Sequence, residues 1–250
     1  MDPRDVIWLG GATGSGKTSI SRILAYRHDL QLYNVDHRTF DHENRLGPRE
    51  RDWTLPAGEL VDVFVAYSHE RWPLVVADLE ALAATPAVIA EGPHLLPELV
   101  PTGAQAVFLV PSEQRIRATR EERGSRPNIS DRDVLLAAYI RGEAEKRGFA
   151  VVPVDRPLAE MVERVDALFT LDSLPREIDR PTVRRFENDV LARQVRLYRD
   201  SGEAPAGDWP LPFACECDEA GCADIVELTL ADYERISAAG DRSPLRRSRS

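Results

Sequence analysis

Lysine is nearly absent from this chain: of 32 basic residues, only Lys17 and Lys146 are lysines. Where a chain otherwise built on arginine keeps a lysine, a compact ammonium is wanted at that place. Basic residues as a whole are in deficit, 32 against 42 acidic, for a net charge of −10. That balance excludes a general affinity for nucleic acid or an anionic membrane surface, because nothing offsets phosphate repulsion. No apolar run approaches the length of a membrane span. The opening residues, Met1-Asp2-Pro3-Arg4-Asp5, are polar and lead straight into a short apolar run, so no signal peptide is expected. Cysteine is scarce too: Cys215, Cys217 and Cys222 all fall within eight residues, which is no disulfide framework. Together these absences predict a cytoplasmic protein. Internal repeats are missing as well.

What the chain does have is a 43% hydrophobic and 30% charged composition over 250 residues. This suits one well-buried globular core with some chain left for an appendage. Near its start stands Gly10-Gly11-Ala12-Thr13-Gly14-Ser15-Gly16-Lys17-Thr18. From Gly11 to Thr18 it reads G-x-x-x-x-G-K-T, the phosphate-binding P-loop. Val6-Ile7-Trp8-Leu9 before it suits a buried strand, and Ser19 to Tyr26 after it has apolar residues at helical spacing. Glycines let such a loop curl so that backbone N–H groups converge on an anion, and the following helix points its positive end there. The expected nucleotide-binding residues are therefore Gly11, Ala12, Thr13, Gly14, Ser15, Gly16, Lys17, Thr18 and Ser19. Lys17 would reach the β- and γ-phosphates of ATP, and the Thr18 hydroxyl would hold Mg²⁺.

Further on, apolar runs alternate with helical patterns. Leu30–Asp36 reads as a second strand ending in an acid, followed by a polar loop or short helix, His37–Trp53, over the site. Two helices are expected at Gly58–Glu70 and Leu74–Ala84, then strands at Ala87–Gly92, Ala104–Val110 and Phe149–Val154. Ser112 caps a helix over Glu113–Arg123, and Ser130 or Asp131 caps the next, which stops at Gly148. Leu158–Leu168 is a further helix. This alternation predicts an α/β fold with a parallel sheet covered on both faces. Ligands in such sheets bind beyond the carboxyl ends of the strands, where Asp36 and Glu91 fall. A phosphoryl-transfer site needs one group for the acceptor hydroxyl and another for Mg²⁺ or its water. Asp36 is assigned the first role and Glu91 the second, with the reverse assignment open. His94, three residues beyond Glu91, also falls near the site.

The P-loop, Asp36, the run Val88-Ile89-Ala90-Glu91-Gly92 and the arginine-bearing helix before Gly124 resemble the P-loop small-molecule and nucleoside-monophosphate kinases. That group includes shikimate kinase, chloramphenicol phosphotransferase and adenylate kinase. The likeness spans roughly Asp5 to Thr170. It implies a three-layer fold with a five-stranded sheet in order 2-3-1-4-5, a substrate region after the second strand and a mobile arginine lid. Arg115, Arg117, Arg120, Arg123 and Arg126 occupy the lid position, and Arg120 and Arg123 are the candidates for phosphate contact, since a guanidinium grips phosphate as a fork. The acid after the third strand departs from shikimate kinase and is closer to uridine-kinase-like sequences.

The organisation expected is a kinase-like domain over 1–172, an arginine-rich helix over 173–201 docking on it, a cysteine-containing module over 202–239 and a disordered tail over 240–250. Cys215, Cys217 and Cys222 form C-x-C-x₄-C, which reads either as a structural Zn²⁺ site one ligand short or as reduced thiols without metal. The leading expectation is an ATP- and Mg²⁺-dependent phosphotransferase acting on a small polar acceptor. The alternative is a nucleotide-binding switch that hydrolyses slowly and signals through the C-terminal segment, although no Asn-Lys-x-Asp base-reading motif is present.

Overall fold

The computed structural model describes residues 6–47, 49, 51–83, 85–171, 174 and 178–246. The boundary expected at 172–173 and the last four residues lie outside that set. Five parallel strands form the central sheet: β1 (Ile7–Gly11), β2 (Gln31–Asn34), β3 (Val88–Glu91), β4 (Ala106–Pro111) and β5 (Ala150–Val154). Their spatial order is β2-β3-β1-β4-β5. A parallel sheet must bury both faces, and alternate side chains are sent to opposite sides. Trp8, Val88, Ala90, Phe108 and Val110 enter one core with Val75 and Leu79 of α3 (Ala57–Ala81) and Leu136 and Ile140 of α5 (Pro127–Lys146). Ile7, Leu9, Ile89, Val107 and Leu109 enter the other, with Ile20 and Leu24 of α1 (Lys17–Arg27) and Met161 and Val165 of α6 (Leu158–Asp166). The result is the expected three-layer architecture.

Several boundaries differ from the sequence reading. The second strand stops at Asn34, and Asp36 belongs instead to a 3₁₀ turn, Val35–Arg38, whose first amides are capped by the Asn34 side chain. This turn runs into α2 (Thr39–Leu46). The two helices expected around Pro73 are one, α3. Proline removes the N–H that would bond the carbonyl of His69, but both residues are exposed, so water can serve that carbonyl instead. After α4 (Glu113–Glu122), α5 is capped at Arg126, four or five residues before the expected cap, with Pro127 in its first turn, where the missing N–H costs nothing, and Ser130 is inside the helix.

The C-terminal chain forms α7 (Arg180–Asp200), an antiparallel pair β6 (Leu211–Ala214) and β7 (Ile225–Leu228), and α8 (Leu230–Ala239). Leu191 and Val195 of α7, Phe213 of β6 and Tyr233 and Ile236 of α8 make a third core. The Phe213 and Tyr233 rings stack at 4.1 Å between centroids. The expectation of a disordered tail needs correction as far as residue 246. Leu245 is fully buried in this third core. Its carbonyl accepts from the Glu216 amide at 2.8 Å, and Arg242 donates from Nε to Glu216 at 2.6 Å. A short arginine-rich tail looks solvated in sequence, yet one leucine and one buried carboxylate suffice to hold it.

Removing a buried leucine side chain costs roughly 2–5 kcal/mol. Leu245→Ala should therefore move the urea midpoint down by a corresponding amount, whereas a disordered tail would leave it unchanged.

Candidate functional site

β1 ends at Gly11, and the chain curls before α1 begins at Lys17 with Gly16 in the left-handed region, φ 79°. Gly11 has φ +133°, and a Cβ there would sit 2.2 Å from the Leu109 carbonyl oxygen of β4. Only glycine lets the loop leave the sheet this close to its neighbour. The loop closes on the Lys17 ammonium, which donates to the Ala12 carbonyl at 2.9 Å and to Ser15 Oγ at 3.4 Å. Burial lowers the Lys17 pKa, and the nearby carboxylates of Glu91, Asp36 and Asp133 partly counter that.

Glu91, the last residue of β3, is 1% exposed. Its Oε1 accepts from the Thr18 hydroxyl at 3.0 Å and from the Asn34 side-chain amide. Register explains the second contact, since Asn34 pairs with Glu91 across β2 and β3. Burial first, and the charge of Asp36 second, push the Glu91 pKa up to about 7. Asp36 presents an exposed surface to the cleft while protein walls surround it, and this confinement raises its pKa too, against the pull of Lys17 and Arg71. Of the two acids, Glu91 is the one cut off from solvent, whereas Asp36 reaches the cleft surface.

The loop from Thr13 to Ser19 and Asp36 line a cleft of about 460 Å³ together with Arg120, Arg123 and Arg132, and Glu91 lies behind its wall, bonded to Thr18. Arg120 of α4 donates from Nε to Asp133 Oδ2 at 2.6 Å and reaches Thr13 Oγ1 at 3.3 Å. Arg132 donates from Nε to the other oxygen of the same carboxylate at 2.9 Å. Asp133 is fully buried, so it fixes two guanidiniums at the rim of the phosphate loop. Arg123 lines the cleft with its side chain exposed. Arg115 reaches the Gly14 carbonyl at 3.3 Å, while Arg117 turns outward to Glu113 and Asp131. Arg126 precedes α5 and is exposed, outside the cleft lining. Arg132 and Asp133 were missed by the sequence reading. They lie inside a helix among other charges, and only the fold turns that face toward the loop.

A second cavity of about 450 Å³ shares Phe64 and Arg132 with the first. Its walls are mainly aromatic and aliphatic, with Trp53, Leu60 and Tyr67, and it carries Arg49, Arg51 and Glu43 at its polar side. His94 lies here, stacked on Phe64 at 4.2 Å and edge-on to Tyr67 at 5.3 Å. Burial and the surrounding positive charges of Arg71 and Arg132 hold its pKa well below the usual histidine range, so the ring is neutral. Ser68 Oγ donates to the Phe64 carbonyl at 2.8 Å and lies 2.8 Å from His94 Nδ1. With the single hydroxyl proton committed, Nδ1 must be the donor, which leaves Nε2 as an acceptor. The structure places the P-loop, Asp36, Arg120 and Arg123 around one cleft, with Glu91 behind Thr18. His37, by contrast, lines a small cavity of about 80 Å³ under α7.

Magnesium and a nucleoside triphosphate fit this donor set: a curled backbone, one ammonium, one hydroxyl and the Asp36 carboxylate face arginines across a cleft, with the Glu91 carboxylate bonded behind the hydroxyl.

Strand order, phosphate loop and the helix springing from it define the P-loop kinase fold. No known family model matches the chain, and no curated protein is similar to it. Among solved structures it is similar to a gluconokinase from Sinorhizobium meliloti 1021, with 22% identity over 65% of this chain and 90% of that one and a TM-score of 0.40. It is also similar to shikimate kinase from Acinetobacter baumannii in complex with shikimate, 15% identical over 64% and 89% of the two chains, TM-score 0.45. A third is shikimate kinase from Aquifex aeolicus, 19% identical over 64% and 92%, TM-score 0.41. The fold assignment rests on the sheet and the loop themselves. Among the described residues no helix is long and apolar enough to cross a membrane.

The raised Glu91 pKa has a definite sign. Without nucleotide, the folded protein holds this proton more tightly than the unfolded chain. That stabilisation is complete below the ordinary carboxylate range and is lost as pH rises through about 7. Thermal melts of the nucleotide-free protein should therefore fall across this window, and Glu91→Gln should flatten the slope.

Proposed function

We propose that this protein is an ATP- and Mg²⁺-dependent phosphotransferase that moves the γ-phosphoryl group to a hydroxyl of a small polar acceptor. The observation carrying this reading is the pair of adjoining cavities, which share Phe64 and Arg132 as a common wall. One has the chemistry of a triphosphate cradle, and the other has the size and mixed lining of a metabolite site. The Gly11–Ser19 backbone and Lys17 would bind the phosphates. Thr18 and Glu91 would hold Mg²⁺, whose charge screens the phosphate oxygens when it is bound. Asp36, at the cleft surface beside the loop, would orient the acceptor hydroxyl and accept its hydrogen bond. Arg120, Arg132 and Arg123 would stabilise charge on the transferring group. The acceptor suited to the second cavity has an apolar or planar face against Phe64, Tyr67 and Trp53, and a hydrogen-bond donor for His94 Nε2.

A second reading is a nucleotide-dependent switch signalling through the C-terminal segment. It is favoured by direct bonds from α7 to the core around the site. Glu187 accepts from Tyr26 of α1 at 2.8 Å and from the Leu32 amide of β2 at 2.9 Å. Arg51, in the second cavity, also pairs with Glu203 beyond α7.

An ADP-release screen over nucleosides, nucleotides, sugars and other hydroxylated metabolites separates the two readings. Acceleration by one acceptor class supports the kinase. Slow basal turnover that no acceptor changes, with nucleotide-dependent capture of a partner, supports the switch instead. Removing one charge-stabilising group typically costs roughly 100–1,000-fold in turnover, and Lys17→Ala should lose at least that much. Asp36→Asn should keep Mg-ATP affinity while acceptor-dependent turnover falls by roughly 100-fold or more. If its turnover is unchanged, Asp36 has no role in the transfer.

A further inference from the structure

Outside the nucleotide cleft, the densest cluster of metal-ligating side chains among the described residues lies in the connection between β6 and β7. Cys215 follows directly on the last residue of β6, and Cys217 and Cys222 sit on the loop that returns to β7. The three sulfur atoms all lie within 4.8 Å of one another, and none is in a disulfide. Thiolates bound to one tetrahedral Zn²⁺ at about 2.3 Å stand roughly 3.8 Å apart, so closing the trio needs shifts of about 1 Å or less. Cys215 and Cys222 are buried, whereas Cys217 is half-buried and leaves one side open to solvent. The loop is already shaped to bring them together. The Cys215 amide donates to the Asp224 carbonyl at 3.0 Å, and the Cys222 amide donates to Glu219 at 3.3 Å across a turn through Gly221, φ 70°.

We propose that Cys215, Cys217 and Cys222 bind one Zn²⁺ as a three-thiolate structural site, with the fourth position facing solvent beside Cys217. Zinc is the cation this donor set selects, since soft sulfur ligands in a compact tetrahedral arrangement discriminate against Mg²⁺ and Ca²⁺. Binding releases the thiol protons to solvent and involves no redox step.

The surroundings give the site something to hold. A two-stranded sheet is marginal alone, and β6–β7 relies on its neighbours. Glu216, between the first two cysteines, is 1% exposed and accepts from Asn188 of α7 at 2.9 Å and from Arg242 of the tail. Asn188 also brackets Ala214, donating to its carbonyl at 3.0 Å and accepting from its amide at 2.7 Å. Arg180 at the start of α7 bonds the Asp218 carbonyl at 3.3 Å and clamps Asp29, just after α1, with two 2.8 Å contacts. A metal at the cysteines would fix the loop from which these anchors to α7 and the tail depart.

The test uses the full chain purified under a non-thiol reductant. About one zinc per chain is expected, and Co²⁺ added to the stripped protein should give the sulfur-to-metal charge-transfer absorption of thiolate ligation. Chelation should lower the melting temperature, and added Zn²⁺ should restore it. Cys217→Ser should weaken zinc uptake at least tenfold, while Lys17→Ala, outside this site, should retain it. The cobalt titration of the unsubstituted chain, checked for folding by circular dichroism, decides the matter should the serine variant misfold. Folded, reduced protein that takes up no Zn²⁺ and shows no thiolate–cobalt absorption overturns the proposal. So does zinc uptake that is undiminished when Cys215 and Cys217 are both replaced by serine.

Discussion

Burying an ammonium costs free energy unless nearby groups compensate, and Lys17 is only 7% exposed. Its compensation comes from four separate parts of the chain. The P-loop supplies a carbonyl and a hydroxyl, β3 supplies Glu91, the turn after β2 supplies Asp36, and α5 supplies Asp133. Two of those groups are themselves unsettled by the same confinement, since burial shifts Glu91 and Asp36 toward their protonated forms. The cluster therefore carries unresolved electrostatics in the nucleotide-free chain. The magnesium nucleotide proposed above would meet both needs, giving the ammonium phosphate oxygens and the acids a metal. Structure and chemistry meet at this point, because the residues destabilised by burial are those a magnesium nucleotide would relieve.

The sheet exists to hold those groups in register. Asn34 and Glu91 are paired residues on neighbouring strands, and Leu9 pairs with Glu91 on the other side. A slip of one residue would send Glu91 to the opposite face of the sheet and leave Thr18 without its acceptor. The two-sided core enforces that register. Trp8 and Phe108 on one face, and Leu9 and Leu109 on the other, are fully buried and would all be misplaced together.

Much of this was readable in advance, for definable reasons. The P-loop is local: eight contiguous residues encode a backbone conformation. The strands are short apolar runs buried on both faces, the easiest strands to recognise. Asp36 and Glu91 could be found because strand ends in a parallel sheet converge on one rim. Arg132 and Asp133 could not. Their signal is the helix face they share, and in sequence a charged face pointing at a buried carboxylate reads the same as one pointing at water. The continuity of α3 through Pro73 was hidden for a related reason, since the cost of proline depends on whether the freed carbonyl can reach solvent. The ordered tail escaped because its hold on the core is one leucine and one arginine, too few to make a periodic pattern.

The C-terminal segment solves a problem the kinase fold leaves open. β2 is an edge strand, and exposed edge amides invite pairing with other chains. Here the Leu32 amide donates to Glu187 of α7, and that carboxylate is held in turn by Tyr26 and by Arg184 at 3.0 Å. Arg184 is itself buried, with its guanidinium 3.2 Å from the centre of the Tyr26 ring. A charged pair this enclosed is poor at adding net stability but demanding in geometry, so it fixes where α7 sits. Tyr26 belongs to the helix that springs from the phosphate loop, so α7 is bonded directly to that helix. On the other edge, β5 carries Pro153 with its side chain exposed. Proline has no amide proton to offer a further strand, so the two edges are blocked by different means: one by a carboxylate on an appended helix, the other by the backbone itself.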